Sequence, residues 1–255
     1  QCYHSENQNN MEQEQNLKEH QSSKISLLQF LNIEPSTGGQ KAKLSRPLDF
    51  LVVTDHAEFL GGIKDIYHEG IGLEDPNIIE RLVVWWRERE IREAIDGGNG
   101  PEFFNDVLPA TGPPRELASR WNESLPDPIP GADLSQRNAW HRLLETAQKY
   151  DDPGAFTAFA GWEWTSQPGS ANLHRVVITD ADSQSGKEFL PFGSTDSPFP
   201  EDLWAWLAKT EDQSGARFLA IPHNSNVSRG LMFDTRTLRG DPIDESYANR
   251  RLRYE

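Results

Sequence analysis

The sequence predicts an α/β domain organised around a mainly parallel sheet. Two observations carry that expectation. Short apolar segments that read as strands alternate with longer segments whose apolar residues recur every three or four positions. In addition, residues able to ligate metal stand at the ends of the apolar segments, where a β/α barrel gathers its functional side chains. The length of 255 residues suits one large domain, an α/β barrel included.

Taken in order, residues 1 to about 21 are Gln, Asn, Glu and Ser with almost nothing to bury, so a loose segment is expected. Residues 1–37 are set apart on that ground from a domain over 38–255. Ser23 to Ile33 carries Ile25, Leu27, Leu28 and Leu31 at roughly helical spacing before Pro35-Ser36-Thr37-Gly38-Gly39 breaks the pattern. Leu48 to Thr54 is a nearly unbroken apolar run, as a parallel strand covered on both faces requires, and it ends in Asp55-His56. Asn77 to Ile95 reads as a helix with Ile78, Leu82, Trp85, Trp86 and Ile91 on one face, stopped by Asp96-Gly97-Gly98. The Pro- and Gly-rich span 101–131 is expected as an insertion folded over the sheet.

Asp133 to Tyr150 opens with a capping residue and continues with Trp140, Leu143, Leu144 and Ala147 at helical spacing. Phe156 to Trp162 is a second strand and runs into Glu163; Leu173 to Thr179 is a third, with His174 near its start. Pro200-Glu201-Asp202 begins a helix continued by Leu203, Trp204, Trp206 and Leu207. Arg217 to Ile221 is a further strand, leading through Pro222 into His223.

Composition narrows the function. Apolar residues make up 36% of the chain, with eight Trp and twelve Phe, which is enough for a packed core. The formal charge of -15 and the lack of clustered Lys and Arg exclude a broad nucleic-acid surface. A small anionic substrate then needs a locally positive pocket, which bound metal can supply. Cys2 is the only cysteine, so neither an internal disulfide nor a four-thiolate zinc site is expected. No apolar run is long enough to span a bilayer and no signal-peptide order is seen, which leaves compartment and oligomeric state open. The absence of an initial Met and the charged, helix-like stretch at Leu252 to Glu255 suggest a fragment.

Three apolar strands lead into His56 (with Asp55 before it), Glu163 and His223. Imidazole nitrogens and carboxylate oxygens suit zinc, manganese or iron, and a carboxylate can bridge two ions because it has two oxygens. The ordinary alternatives are a single acid on an aromatic strand between Trp162 and Trp164, a loop-capping Asp55, and hydrogen-bonded histidines. His4, His20, His68 and His141 are assigned to that ordinary class. Nucleophile-elbow, Walker and dinucleotide-binding motifs do not occur in the sequence.

Four segments, Pro47 to Glu58 (PLDFLVVTDHAE), Gly161 to Thr165 (GWEWT), Asn172 to Arg175 (NLHR) and Ile221 to Asn226 (IPHNSN), together resemble the DUF3604 family, which is related to the PHP phosphoesterases. The resemblance implies a distorted PHP-type (β/α)7 barrel, incomplete in this chain, that holds two or three divalent ions (Zn, Mn or Fe) when complete. It implies His56, Glu163, His174 and His223 as metal ligands, with Glu163 the bridging carboxylate and Asp55 orienting a ligand histidine. In the family a Gly-Asp-x-His-x-His segment normally precedes the strand that starts at Pro47, and an Asp-x-His element normally follows the position of Glu255. The sequence contains neither, so this polypeptide is expected to bind metal poorly, and its activity in isolation is left open.

The function implied is a metal-dependent hydrolase, phosphoesterase-like, that uses a metal-activated water at the C-terminal face of the barrel. Glu163 and Asp55 are its candidate catalytic residues. Arg175 and Arg229 are candidates to hold an anionic substrate, and Asn224 and Asn226 to orient substrate or water. Surface salt bridges and ordinary turn chemistry are the alternatives for these four. Two other functions remain open: a barrel that binds a ligand without catalysis, and a metal hydrolase of a bond other than a phosphoester.

Overall fold

A computed structural model describes residues 33–35, 41–43, 46–72, 77–100, 103 and 132–255. The loose start and most of the Ser23–Ile33 helix fall outside the described residues, as does nearly all of the 101–131 insertion. The chain divides into two compact units, Gln1–Leu51 with Tyr150–Ala158, and Val52–Lys149 with Phe159–Glu255. In the first unit, β1 (Ile33–Pro35) pairs antiparallel with β2 (Lys41–Lys43). There too, the Thr157 amide donates to the Asp49 carbonyl at 3.0 Å.

The main sheet contains β3 (Phe50–Val52), β4 (Asp55–His56), β5 (Thr157–Trp164), β6 (Arg175–Thr179) and β7 (Phe218–Pro222). Its hydrogen-bonded order is β3-β5-β6-β7, with β4 also paired to β5. Among the described residues five helices accompany it: α1 (Gly62–Glu69), α2 (Ile78–Asp96), α3 (Ala132–Tyr150), α4 (Pro200–Ser214) and α5 (Glu245–Tyr254).

The sheet corrects the barrel expectation. It is open and mixed: β4 runs parallel to β5, but β5 to β6 and β6 to β7 are antiparallel. For β5 and β6 the reason lies in their connection, residues 165–174, which holds a 3₁₀ turn at Pro168–Ser170 and no crossover helix, whereas β6 and β7 pair antiparallel with α4 between them. A parallel return needs a dozen or more residues, usually a helix, so this short loop sends the chain back antiparallel. The expectation of strands covered on both faces fails as well, since Phe50, Val53, Leu219 and Ile221 are exposed.

Alternation along β5 locates the core. Trp162 and Trp164 are fully buried, whereas Glu163 between them points to the other face. The Trp140 ring meets Trp162 edge to face at 5.7 Å, and Phe189, Leu203, Leu207, Phe218 and Ala220 belong to the same core. Each large indole finds an acceptor: Trp140 donates to the Gly186 carbonyl, Trp162 to Phe192 and Trp164 to Ser197, at 2.7, 3.1 and 3.0 Å. Gly161 has a steric role in this strand. A Cβ there would stand 2.6 Å from both the Val177 carbonyl oxygen and Val52 Cγ2, so only glycine lets β5 sit this close to its neighbours.

The helices start close to where their sequence signals place them. Asn77 Oδ1 accepts from the Ile79 and Glu80 amides while Glu80 accepts from the Asn77 amide, a capping box that opens α2. Pro200 begins α4 with Glu201 and Asp202 in its first turn. The buried stripe of α2 differs from expectation: Val84 and Ile91 pack with Phe59, Ile66 and Ile71, whereas Ile78, Leu82, Trp85 and Trp86 are exposed. Val84 and Ile91 lie seven residues apart on one helix face, and that face is set by the contact with α1. No helix among the described residues is long and apolar enough to cross a membrane.

Trp162→Ala removes the side chain at the centre of this aromatic cluster and is expected to cost about 3–5 kcal/mol. Urea unfolding of the variant checks this; a loss below about 1 kcal/mol would mean that the core does not rest on β5.

Candidate metal centre

Sheet register assembles a cluster from residues far apart in the chain. In the parallel β4–β5 pair His56 stands opposite Glu163, and in the antiparallel β5–β6 pair Glu163 stands opposite Val176. His174 lies two residues before Val176 and so has the same pleat parity. The ladder continues beyond the last pair of β6 and β7, where the His223 amide donates to the His174 carbonyl at 3.2 Å. Glu163, His56, His174 and His223 therefore share one face and one end of the sheet.

The antiparallel turn at β6 is essential to this. Glu163 and His223 belong to strand ends and His174 to a strand start, and in an all-parallel sheet a start lies at the end remote from the other two.

The two carboxylate oxygens of Glu163 are engaged separately. Oε1 lies 2.9 Å from His174 Nδ1 and 2.9 Å from His223 Nε2, and Oε2 lies 3.3 Å from His56 Nδ1. The His174 and His223 rings approach edge to face at 5.7 Å. One ligand atom each from Glu163, His174 and His223 lies within 4.8 Å of the others, a separation suited to a shared cation.

Exposure grades across the cluster, with the His174 side chain 7% accessible, Glu163 16%, His223 32% and His56 63%. Burial alone would raise the Glu163 pKa. The hydrogen bond from His174 and the charges of His56, His174 and His223 outweigh it, so the net shift is downward and the group is a carboxylate at neutral pH.

The donor set fits a divalent cation: two imidazoles and an ionised carboxylate converge with one atom each. The chain does not satisfy the cluster fully by itself, because His223 Nδ1 is buried with no hydrogen-bond partner among the described residues.

The loops around the cluster are held in unusual conformations. Positive φ at non-glycine residues among the described ones is confined to Phe59 (58°), Ser170 (62°), Asn224 (59°) and Arg229 (53°), in the loops that follow His56, precede His174 and follow His223. Backbone strain of this kind persists only where surroundings enforce it, and it concentrates at functional sites.

Other residues expected at the site fall differently. Asp55 pairs in register with Trp162, is exposed, and forms no hydrogen bond or ion pair with His56 among the described residues, since adjacent side chains of a strand face opposite ways. Arg175 likewise turns away from His174. It is 1% exposed, stacks over Trp164 at 5.5 Å, donates to the Leu173 carbonyl and pairs with Glu255 at 3.0 Å. Its place is in the core. Asn224 and Asn226 are exposed in the loop after His223. Arg229, also exposed, donates to the Gly169 carbonyl at 2.9 Å and so ties that loop to the one before His174.

Three supporting residues are not marked out by the sequence. Thr165 Oγ1 lies 2.5 Å from His56 Nδ1. Gln167 Nε2 lies 3.1 Å from His174 Nε2. Glu58 is buried and accepts from the Ser194 amide at 2.6 Å and the Thr165 amide at 3.2 Å, which fixes the loop carrying Thr165. Membership of the family-like segments, in which Glu58 closes Pro47 to Glu58 and Thr165 closes Gly161 to Thr165, is the signal that could have found two of them.

Arg175→Met leaves a buried Glu255 with only its Arg251 and Trp204 contacts and is expected to cost about 3 kcal/mol, with cation affinity unchanged. Urea unfolding and a cation titration on the same preparation test both halves; unaltered stability with lost affinity would return Arg175 to the site.

A family model described as a protein of unknown function, DUF3604, matches residues 30–255. Comparison with curated proteins and with solved structures finds no match. The match covers most of the chain and all four segments that meet at the cluster, and the chain belongs to the DUF3604 family.

Proposed function

We propose that the chain carries the centre of a metal-dependent hydrolase that acts on a small anionic substrate, phosphoester-like in the manner of the PHP enzymes. The observation that supports this reading best is the division of labour at Glu163, with one carboxylate oxygen turned to two imidazoles and the other to a third. In this reading His174, His223 and Glu163 Oε1 would hold one divalent cation, and His56 with Glu163 Oε2 would contribute to holding a second. Such cations supply Lewis-acid polarisation of an electrophile and a water nucleophile at neutral pH.

The chain's own residues do the rest. Glu163 keeps its two oxygens apart at a fixed height, because the tryptophans on either side lock the pleat. Thr165 restrains the His56 ring, whose exposure would otherwise leave it free to rotate. Arg229, exposed on a loop tied back beside His174, is the guanidinium available for a substrate anion, with Asn224 and Asn226 as neutral donors nearby in sequence. Asp55 and Arg175 have no part in it.

Turnover of a phosphoester panel with added zinc, manganese or iron tests the reading. Activity should require the cation and fall at least about 100-fold in Glu163→Gln, the loss expected when a transition-state electrostatic contact is removed. Cation-independent turnover, or full activity in Glu163→Gln, would refute it.

A further inference from the structure

We infer that the side-chain amide of Gln167 supports His174 as a cation ligand, whichever ring nitrogen carries the proton, and so tunes the cation affinity of the cluster, an inference that rests on the metal-centre reading above. Gln167 leads into the 3₁₀ turn Pro168–Ser170, yet its side chain makes no capping bond there. Instead its Nε2 lies 3.1 Å from His174 Nε2, while Nδ1 of the same ring lies 2.9 Å from Glu163 Oε1.

These two contacts are coupled because a neutral imidazole carries a single ring proton. With the proton on Nδ1, the ring donates to Glu163 and Nε2 accepts from the amide NH₂. A cation that takes the Nδ1 lone pair requires the proton on Nε2, where it needs an acceptor, as metal-bound histidines almost always have. A half-turn of the Gln167 amide presents its carbonyl oxygen at the same place. When a cation takes Nδ1, any proton there leaves to water and the bound ring is neutral with its proton on Nε2.

Glutamine can serve both states with one side chain. Glutamate would serve only the cation-loaded one, and methionine, of similar length, neither. His223 lacks such a partner, since its Nδ1 is buried and unbonded among the described residues, so control falls on His174.

The loop holds the amide in place. Ser166 is fully buried and donates to the Pro198 carbonyl at 2.7 Å, the Leu173 amide donates to the Ser166 carbonyl at 2.9 Å, and Pro168 and Ala171 are buried.

Long-range ¹H–¹⁵N spectra of the histidine rings, with His174 assigned by its loss in His174→Gln, read the tautomer directly. Zinc competition against a chromophoric chelator reads affinity. In the zinc-loaded wild type, His174 should carry its proton on Nε2. Gln167→Met should bind zinc about 10- to 100-fold more weakly at unchanged thermal stability, and Gln167→Glu should restore binding. Wild-type binding matched by Gln167→Met, or Gln167→Glu as weak as Gln167→Met, would overturn the role of Gln167 and leave the metal centre standing. A wild type that binds no zinc would overturn both.

Discussion

Burial of Trp162 and Trp164 on the same side of β5 is the constraint from which the rest of the cluster follows. Two indoles with no solvent exposure, their N–H groups donating to Phe192 and Ser197, fix which way each residue of the strand points. Glu163 then has to face outward. A slip of one residue would expose both tryptophans and bury a carboxylate, at a cost of several kcal/mol in apolar burial alone. Because β4, β6 and β7 hydrogen-bond in register to this sheet, the same parity brings His56, His174 and His223 to Glu163 and sends Arg175 to the tryptophan side.

Much of this is legible in the sequence, though for a reason that proves incomplete. The strand at Thr157–Trp164, the helices α2, α3 and α4 and the strand leading to His223 follow from apolar periodicity and caps. The barrel does not survive, because the short 165–174 connection reverses the chain between β5 and β6, and β7 pairs antiparallel with β6 although α4 lies between them. His174 shows the consequence best. At a strand start it fits a mixed sheet and would be misplaced in a parallel one. The family resemblance supplies this residue, and the antiparallel pairing supplies the physical account of why it belongs.

What stays hidden are side-chain directions and the partners behind the ligands. Adjacency to His174 suggests a substrate role for Arg175, but in a strand neighbouring residues face opposite ways, and the Glu255 carboxylate and Trp164 ring hold it inside. Asp55 fails as a partner of His56 for the same reason. Thr165, Gln167 and Glu58 come to the site through loop conformation, including positive φ at Phe59 and Ser170, which no periodicity encodes. The exposed tryptophans of α2 pose the opposite problem, since an apolar face is legible while the choice of stripe depends on where α1 packs.

A cation held by two imidazoles and one carboxylate of this sheet is the proposal on which the functional reading stands. X-ray absorption fine structure of the zinc-loaded protein tests it most directly. The expected spectrum has a shell of nitrogen and oxygen at about 2.0–2.2 Å with outer scattering from two imidazoles, reduced to one in His223→Gln. An oxygen-only shell without imidazole scattering, or a spectrum indifferent to His223→Gln, would contradict it.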